Sequence, residues 1–318
     1  MHGIPTPITE DTMSKNASDV VKNKPSAAER EFPHSENVAV MPERRDLHFL
    51  PPGDRINDWH KEGPNVTQFM NALSLLFPAG ERMFIDAIRS YRDEIPDPDL
   101  KKAATAFIGQ EAMHSREHIE YNELMEQAGL PAHKLDQFTW NLLDWIKQNT
   151  PKSLPLAATI ALEHYTALMG DMLLRYPEMM QGSQEDFERM WRWHALEEVE
   201  HKAVAYDVYE KCIGRGPRNW AERTFAMTLA TTLFWPILLS FYWQMSRADE
   251  NCRKQGWKGH LKLLNFTMGK PGFIRRMIPE WLSYFQYSFH PWQQNNADLL
   301  AELDELVDDA EAAYATHH

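Results

Sequence analysis

Residues 107–118 read FIGQEAMHSREH, and residues 193–207 read WHALEEVEHKAVAYD. Glu111 and His114 stand three apart in the first stretch, and Glu198 and His201 repeat that spacing in the second. Around both, apolar residues recur at helical spacing, so each pair projects from one face of a helix. A carboxylate and an imidazole one turn apart can reach a single cation.

Working outward, another acid lies one helix upstream of each pair. Glu81, in FPAGERMF, precedes Glu111 by 30 residues, and Glu163, in ALEHYTALMG, precedes Glu198 by 35. A dinuclear centre needs such carboxylates from two further helices to complete and bridge its ions. The 49 residues from His114 to Glu163 are long enough for a crossover that lets the two helix pairs pack with every ligand inward. Without cations, acids buried this densely would carry an uncompensated cost of several kcal/mol per ion.

Each piece has a plainer reading alone. One ExxH on a solvated helix is common, Glu163 would pass as a neutral buried acid, and Glu81 as a charge favouring a helix N-terminus. Matching order, spacing and face are what combine them. His194 stands four before Glu198 and seven before His201 on the same face, which offers a third imidazole to one ion, its plainer reading being a supporting or core histidine. His118, four after His114, is expected to support a ligand rather than to be one. Glu197 and His164 lie about 100° round the helix from their ligand neighbours, and Glu117 and Glu200 read as solvated or helix-pairing charges.

Pro, Gly and Asn fall between the periodic blocks and mark turns, giving an all-α fold with helices near 66–92, 98–128, 134–149, 154–176, 184–213, 219–246 and 293–314. Pro78 and Gly80 either kink the first of these or place a new helix start just before Glu81. Asp97-Pro98-Asp99 is a start signal for the second. Residues 1–45, rich in Pro, Ser and Asn, read as a disordered or extended tail. Residues 46–318 read as one helical domain, with a metal-binding bundle over 64–213 and an aromatic helical extension over 214–318.

The pattern Glu, ExxH, Glu, ExxH on successive helices resembles the ferritin-like di-iron carboxylate proteins over about residues 64–213. More narrowly, LSLLFPAGERMF, FIGQEAMHSREH, the WHALEEVEHK block and SFHPW resemble the bacterial family labelled predicted metal-dependent hydrolases, from about residue 40 to about 300. The helix carrying His194, Glu198 and His201 is similar to that of the di-iron arylamine N-oxygenases. The resemblance implies a ferritin-like four-helix bundle with additional C-terminal helices and two iron ions, with manganese or a mixed pair as the variants. Glu81, Glu111 and His114 would hold one side of the centre, and Glu163, Glu198, His201 and His194 the other.

The expected function is therefore oxidation of a small apolar substrate by O2. Four carboxylates suit iron or manganese better than hydrolytic zinc, which commonly keeps three protein ligands and an open water position. A hydrolase using metal-activated water is the alternative, and a non-catalytic ferritin-like iron-binding protein the second. No complete dinucleotide fingerprint occurs, so electrons would come from a separate donor.

Composition excludes other classes. The net charge of −13 argues against nucleic acid. Two cysteines without a CxxC pair, and an N-terminus without an apolar signal run, point to the cytoplasm. Residues 225–245 carry no charge and are long enough to cross a bilayer, but Thr, Ser, Gln, Pro236 and a mean hydropathy of −0.54 favour a covering helix, a homodimer face or one wall of a substrate tunnel. The aromatic and arginine mixture through residue 292 reads either as an aromatic core with Arg275 and Arg276 exposed or as peripheral contact with a membrane through 225–292.

Overall fold

Two helices stand where the periodic block 66–92 suggested one or two: α1 (Pro64–Ser74) and α2 (Phe77–Tyr91). Pro78 occupies the first turn of α2, where its missing N–H costs nothing, and Glu81 follows one turn later. Helix α3 (Pro98–Gln127) begins at Asp97, whose side chain accepts from the N–H groups of Asp99 (2.8 Å) and Leu100 (3.2 Å). Then come α4 (Ala132–Asn149), α5 (Ser153–Arg175) and α6 (Glu185–His201). The structure, a computed structural model, describes residues 38–316, and among these no strand occurs.

Helices α2 and α3 pack as one pair and α5 and α6 as another, and α2 meets α5 while α3 meets α6. The second pair is unusually close at Gly170. A Cβ there would lie 2.8 Å from the carbonyl oxygen of Ala195 and 3.2 Å from its Cα. Gly170 is two turns from Glu163 on the same face of α5, and Ala195 is three residues before Glu198 on α6. The absent side chain thus brings those two acids within reach of each other.

The expected helix 184–213 is broken at Lys202 and Ala203, and α7 (Val204–Cys212) restarts beyond the break. Lys202 turns away there to donate to Gln294 O (2.7 Å) and Asn296 Oδ1 (2.5 Å). Helix α8 (Pro217–Ala248) runs through Pro236 and packs on α1 and α5. After it, three short helices occupy a region where periodicity indicated none: α9 (Glu250–Gln255), α10 (Trp257–Leu264) with a π-helical continuation over Asn265–Gly269, and α11 (Phe273–Ser283). Gly256, Gly269, Pro271 and Gly272 cut this stretch into pieces too short for a repeating apolar face to show. The last helix, α12 (Leu303–Thr316), starts later than expected because residues Ala297–Glu302 form a 3-10 turn, and it packs on α6.

Residues 1–37 of the expected tail lie outside the described residues. Residues 38–52 run without helix, and Pro42, Leu47 and Phe49 are buried. Phe49 lies 5.1 Å from the Trp193 ring on α6 and donates its N–H to Glu117 on α3 (3.0 Å). This strap crosses α3 and α6 on the outer side of the acid cluster.

Candidate metal centre

Glu81 from α2, Glu111 and His114 from α3, Glu163 from α5, and His194, Glu198 and His201 from α6 are all buried, none more than 4 % exposed. Their polar atoms converge. His201 Nε2 lies 3.1 Å from Glu111 Oε1, 3.3 Å from Glu163 Oε2 and 3.5 Å from Glu198 Oε2. The other oxygen of Glu198, Oε1, lies 2.9 Å from His194 Nε2 and 3.7 Å from His114 Nδ1. Glu81 Oε1 is 3.9 Å from His194 Nε2. Glu198 is therefore the hub, with one oxygen toward each group of imidazoles.

One assignment made from spacing is corrected here. His194 was expected beside His201, but it stacks on His114, ring centroids 4.2 Å apart, on the Glu81 side. The ligand atoms that come within reach of one another are those of Glu111, Glu198 and His201 on one side and of His114, His194 and Glu198 on the other, while Glu81, Glu111 and His114 also meet as expected, so that Glu111 and Glu198 both touch the two sides.

Each of these three histidines uses its outer ring nitrogen elsewhere. His114 Nε2 is 3.0 Å from Glu197 Oε2, and Glu197 also takes an Arg45 N–H at 3.2 Å. A carboxylate can only accept, so His114 donates there and leaves Nδ1 as a lone pair facing the cluster. His201 Nδ1 faces Gln110 Oε1 at 3.1 Å, while the Gln110 amide nitrogen donates to Glu200 (2.6 Å) and Glu43 O (3.0 Å). His201 must therefore donate through Nδ1, and its Nε2 is free.

The third chain is neutral. Ser74 Oγ donates to Asn122 Oδ1 (2.7 Å) and so accepts from His118 Nδ1 (2.8 Å). His118 Nε2 then accepts from His194 Nδ1 (2.7 Å), and His194 Nε2 is left facing Glu198. Although Glu81, His118 and His194 come close enough to share a cation, both nitrogens of His118 are already engaged in this chain.

Glu200 and Glu117, read from spacing as solvated or helix-pairing charges, are buried and paired. Glu200 takes two Arg45 N–H groups (2.9 and 3.0 Å) together with the Gln110 amide. Glu117 takes the Phe49 N–H and the Arg116 guanidinium (2.9 Å). Glu197, which does point away from the cluster, nonetheless holds His114. His164 points out of the site to Glu280 O (3.2 Å), among Tyr284 and Phe289. Sequence reasoning missed Arg45, Gln110, Ser74 and Asn122, none of which shares a spacing with the residue it supports.

The inner atoms are orphaned. Glu81 Oε1, both oxygens of Glu111 and of Glu163, Glu198 Oε2, His114 Nδ1 and His201 Nε2 are buried without a hydrogen-bond partner. Burial, then the neighbouring acids, pushes the Glu81 and Glu111 carboxyls well up, and burial and Glu198 push Glu163 up to about 7. Burial opposes a charge on His201, yet Glu198, Glu163 and Glu111 outweigh it and raise that imidazole well above its ordinary range. A metal dication supplies the positive charge this environment calls for, in place of protons. The donors fit a metal: acids to neutralise it, imidazole lone pairs to bind it, and outer partners to orient them.

A family model described as predicted metal-dependent hydrolase matches residues 43–295. The chain belongs to that family. No curated protein and no solved structure matches. The predicted metal-dependent hydrolase match takes in all seven clustered side chains together with Arg45 and the neutral chain behind His194.

Two apolar cavities reach the centre. The larger, about 990 Å³ counted to its mouth, lies between α2, α4, α5 and α8 and ends at Gly80 and Glu81. The smaller, about 500 Å³, ends at His194 and Glu198. Phe77, Thr166 and Met169 line both and stand between them.

Proposed function

We propose that this is a ferritin-like di-iron protein in which a centre held by Glu81, Glu111, His114, Glu163, His194, Glu198 and His201 oxidises a small apolar substrate with O2. The observation that carries the reading is the set of three imidazoles whose outer nitrogens are all committed as donors, leaving three lone pairs among four buried carboxylates. Oxygen and nitrogen donors in this ratio suit iron or manganese. When bound, iron would supply the O2-reactive, redox-active centre, recharged by a donor separate from this chain.

The chain's own residues do the rest. Glu198 aims its two oxygens at different imidazoles, which suits a bridge. Ser115 holds the Glu81 carboxylate by one oxygen (2.8 Å) and leaves the other, 3.9 Å from His194 Nε2, for the centre, while Glu81 also lines the larger cavity. Leu76, Phe77, Phe84, Leu162 and Met169 give that cavity apolar walls, which exclude water and favour a substrate without charge.

A second reading, hydrolysis by a metal-activated water, is favoured by the family's description. Glu81 would then serve as general base, since it meets both the cluster and the larger cavity. The two readings separate in one experiment. Protein loaded anaerobically with Fe(II) and then mixed with O2 is expected to consume O2 and to develop a transient visible absorption. Ester turnover by Zn(II)-loaded protein, with no O2 uptake by the iron form, would overturn oxidation in favour of hydrolysis.

A further inference from the structure

Helix α8 is long and apolar enough to cross a membrane, yet one of its faces is committed to the protein. Ala226, Met227, Leu238, Phe241, Tyr242 and Met245 are buried against its neighbours. The opposite face carries Phe225, Thr228, Thr232, Pro236, Leu239 and Trp243, at the three-and-four spacing of one helix side, all exposed and none charged. A helix facing water ordinarily carries charge along such a stripe. With one side packed and the other apolar, α8 is placed to lie along an interface rather than through it.

The stripe continues onto the short helices. Trp243 packs at 5.5 Å against His260 of α10, and the same helix exposes Trp257 (68 %), Leu261 (51 %) and Leu264 (56 %). The next exposed large apolar residue, Met268, receives Arg275 of α11 on its carbonyl oxygen (3.0 Å), and Ile278 and Leu282 follow Arg275 on one face of α11, exposed by 43 % and 55 %. Cations are interleaved throughout. Residues 251–279 contain Arg253, Lys254, Lys258, Lys262, Lys270, Arg275 and Arg276 and no Asp or Glu, in a chain of net charge −13. Lys254 pairs with Glu250 (2.9 Å) and Lys262 with Glu62 (3.2 Å), while the other five have no carboxylate partner among the described residues.

We propose that this face of α8, α10 and α11 docks the protein on an anionic lipid bilayer. Tryptophan and leucine side chains would enter the headgroup layer while the exposed lysines and arginines meet lipid phosphates and carboxylates. A second copy of this chain fits the face less well, because a two-fold contact would set unpaired cations against their own counterparts. Docking here also turns the outer side of α8 to lipid while Ala230, Leu233 and Phe234 on its inner side wall the larger cavity. The proposal stands on surface residues and does not depend on the metal reading.

The test is cosedimentation of the full chain with phosphatidylcholine vesicles, with and without phosphatidylserine. Binding is expected only to the anionic vesicles, weakening as salt rises. Lys258→Glu, Lys270→Glu and Arg275→Glu should each lower partitioning by about five-fold or more, and Trp257→Ala with Leu261→Ser should abolish it. All five positions are exposed and far from the centre, so metal content should be unchanged, and helicity and thermal midpoint should be unchanged in every variant but Arg275→Glu, which also loses its bonds to the Met268 and Gly269 carbonyls; this separates failure here from failure of the metal reading. Absence of binding to anionic vesicles, or binding indifferent to the charge reversals, overturns the proposal. A concentration-dependent dimer dissolved by the Trp257 and Leu261 pair would overturn it as well, assigning the face to self-association.

Discussion

The two ExxH histidines and the third histidine are held in different ways. His114 and His201 each lean on an acid-linked chain, through Glu197 and through Gln110 with Glu200, and both chains end on the single guanidinium of Arg45. His194 leans instead on His118, Ser74 and Asn122, with no formal charge required anywhere along the line. Hydrogen bonds that involve a charge are about twice as strong as neutral ones, and an imidazole that donates to a carboxylate becomes a better metal donor. The comparison implies two firmly set ligands under joint control and a third that can be perturbed alone.

The comparison can be broken at its hub. Glu198→Ala removes the carboxylate common to both sides, and on the proposed two-ion centre the metal content of the purified variant should fall to nearly none. Retention of stoichiometric metal would refute the assignment of Glu198. Next in size is Arg45→Ala, expected to weaken metal retention against a chelator by about 10- to 100-fold. Because Arg45 serves two imidazoles, both ions should be lost together, with partial recovery in Arg45→Lys.

Acidity sharpens the contrast. Burial pushes the carboxyls of Glu163 and Glu197 up to about 7 from the usual 4.5. A carboxyl raised by folding favours the folded state while protonated, and that contribution is lost as pH climbs through its folded value. The metal-free protein should therefore show a thermal midpoint that falls as pH rises between these limits, and bound metal should flatten the fall. Arg45→Ala should steepen it, since Glu197 then loses the cation that offsets its burial, whereas Ser74→Ala should leave the slope alone. Equal slopes in the two variants would mean that the charged and neutral chains are not distinct. The smallest effect is expected from Ser74→Ala itself, which removes one neutral hydrogen bond and should weaken metal retention by about three- to ten-fold at the His194 side only.

Much of this centre was legible because metal binding restricts residue type and spacing together. Glu111 with His114, and Glu198 with His201, repeat one interval, and Glu81 and Glu163 stand at matching distances upstream. The partition of His194 was not legible from facing direction, because it is set by a neighbour on another helix, the His114 ring stacked on it. Arg45 lies 152 residues from Glu197, and Ser74 lies 44 from His118, so contacts like these leave no periodic trace. Glu117 and Glu200 were misread for a related reason. Acids on a helix look solvated until the strap that covers them is known. The short helices after α8 escaped because Gly and Pro interrupt them before any repeat can accumulate.

One practical consequence follows from the place of Arg45. A boundary drawn from the helical pattern puts the start of the domain at residue 46, so a protein trimmed there would keep every ligand and every helix that bears one. It would nonetheless lack the guanidinium on which two of its three imidazoles rest. Such a shortened chain should fold and yet purify short of metal, and adding back the first 45 residues, rather than more metal, would be the remedy.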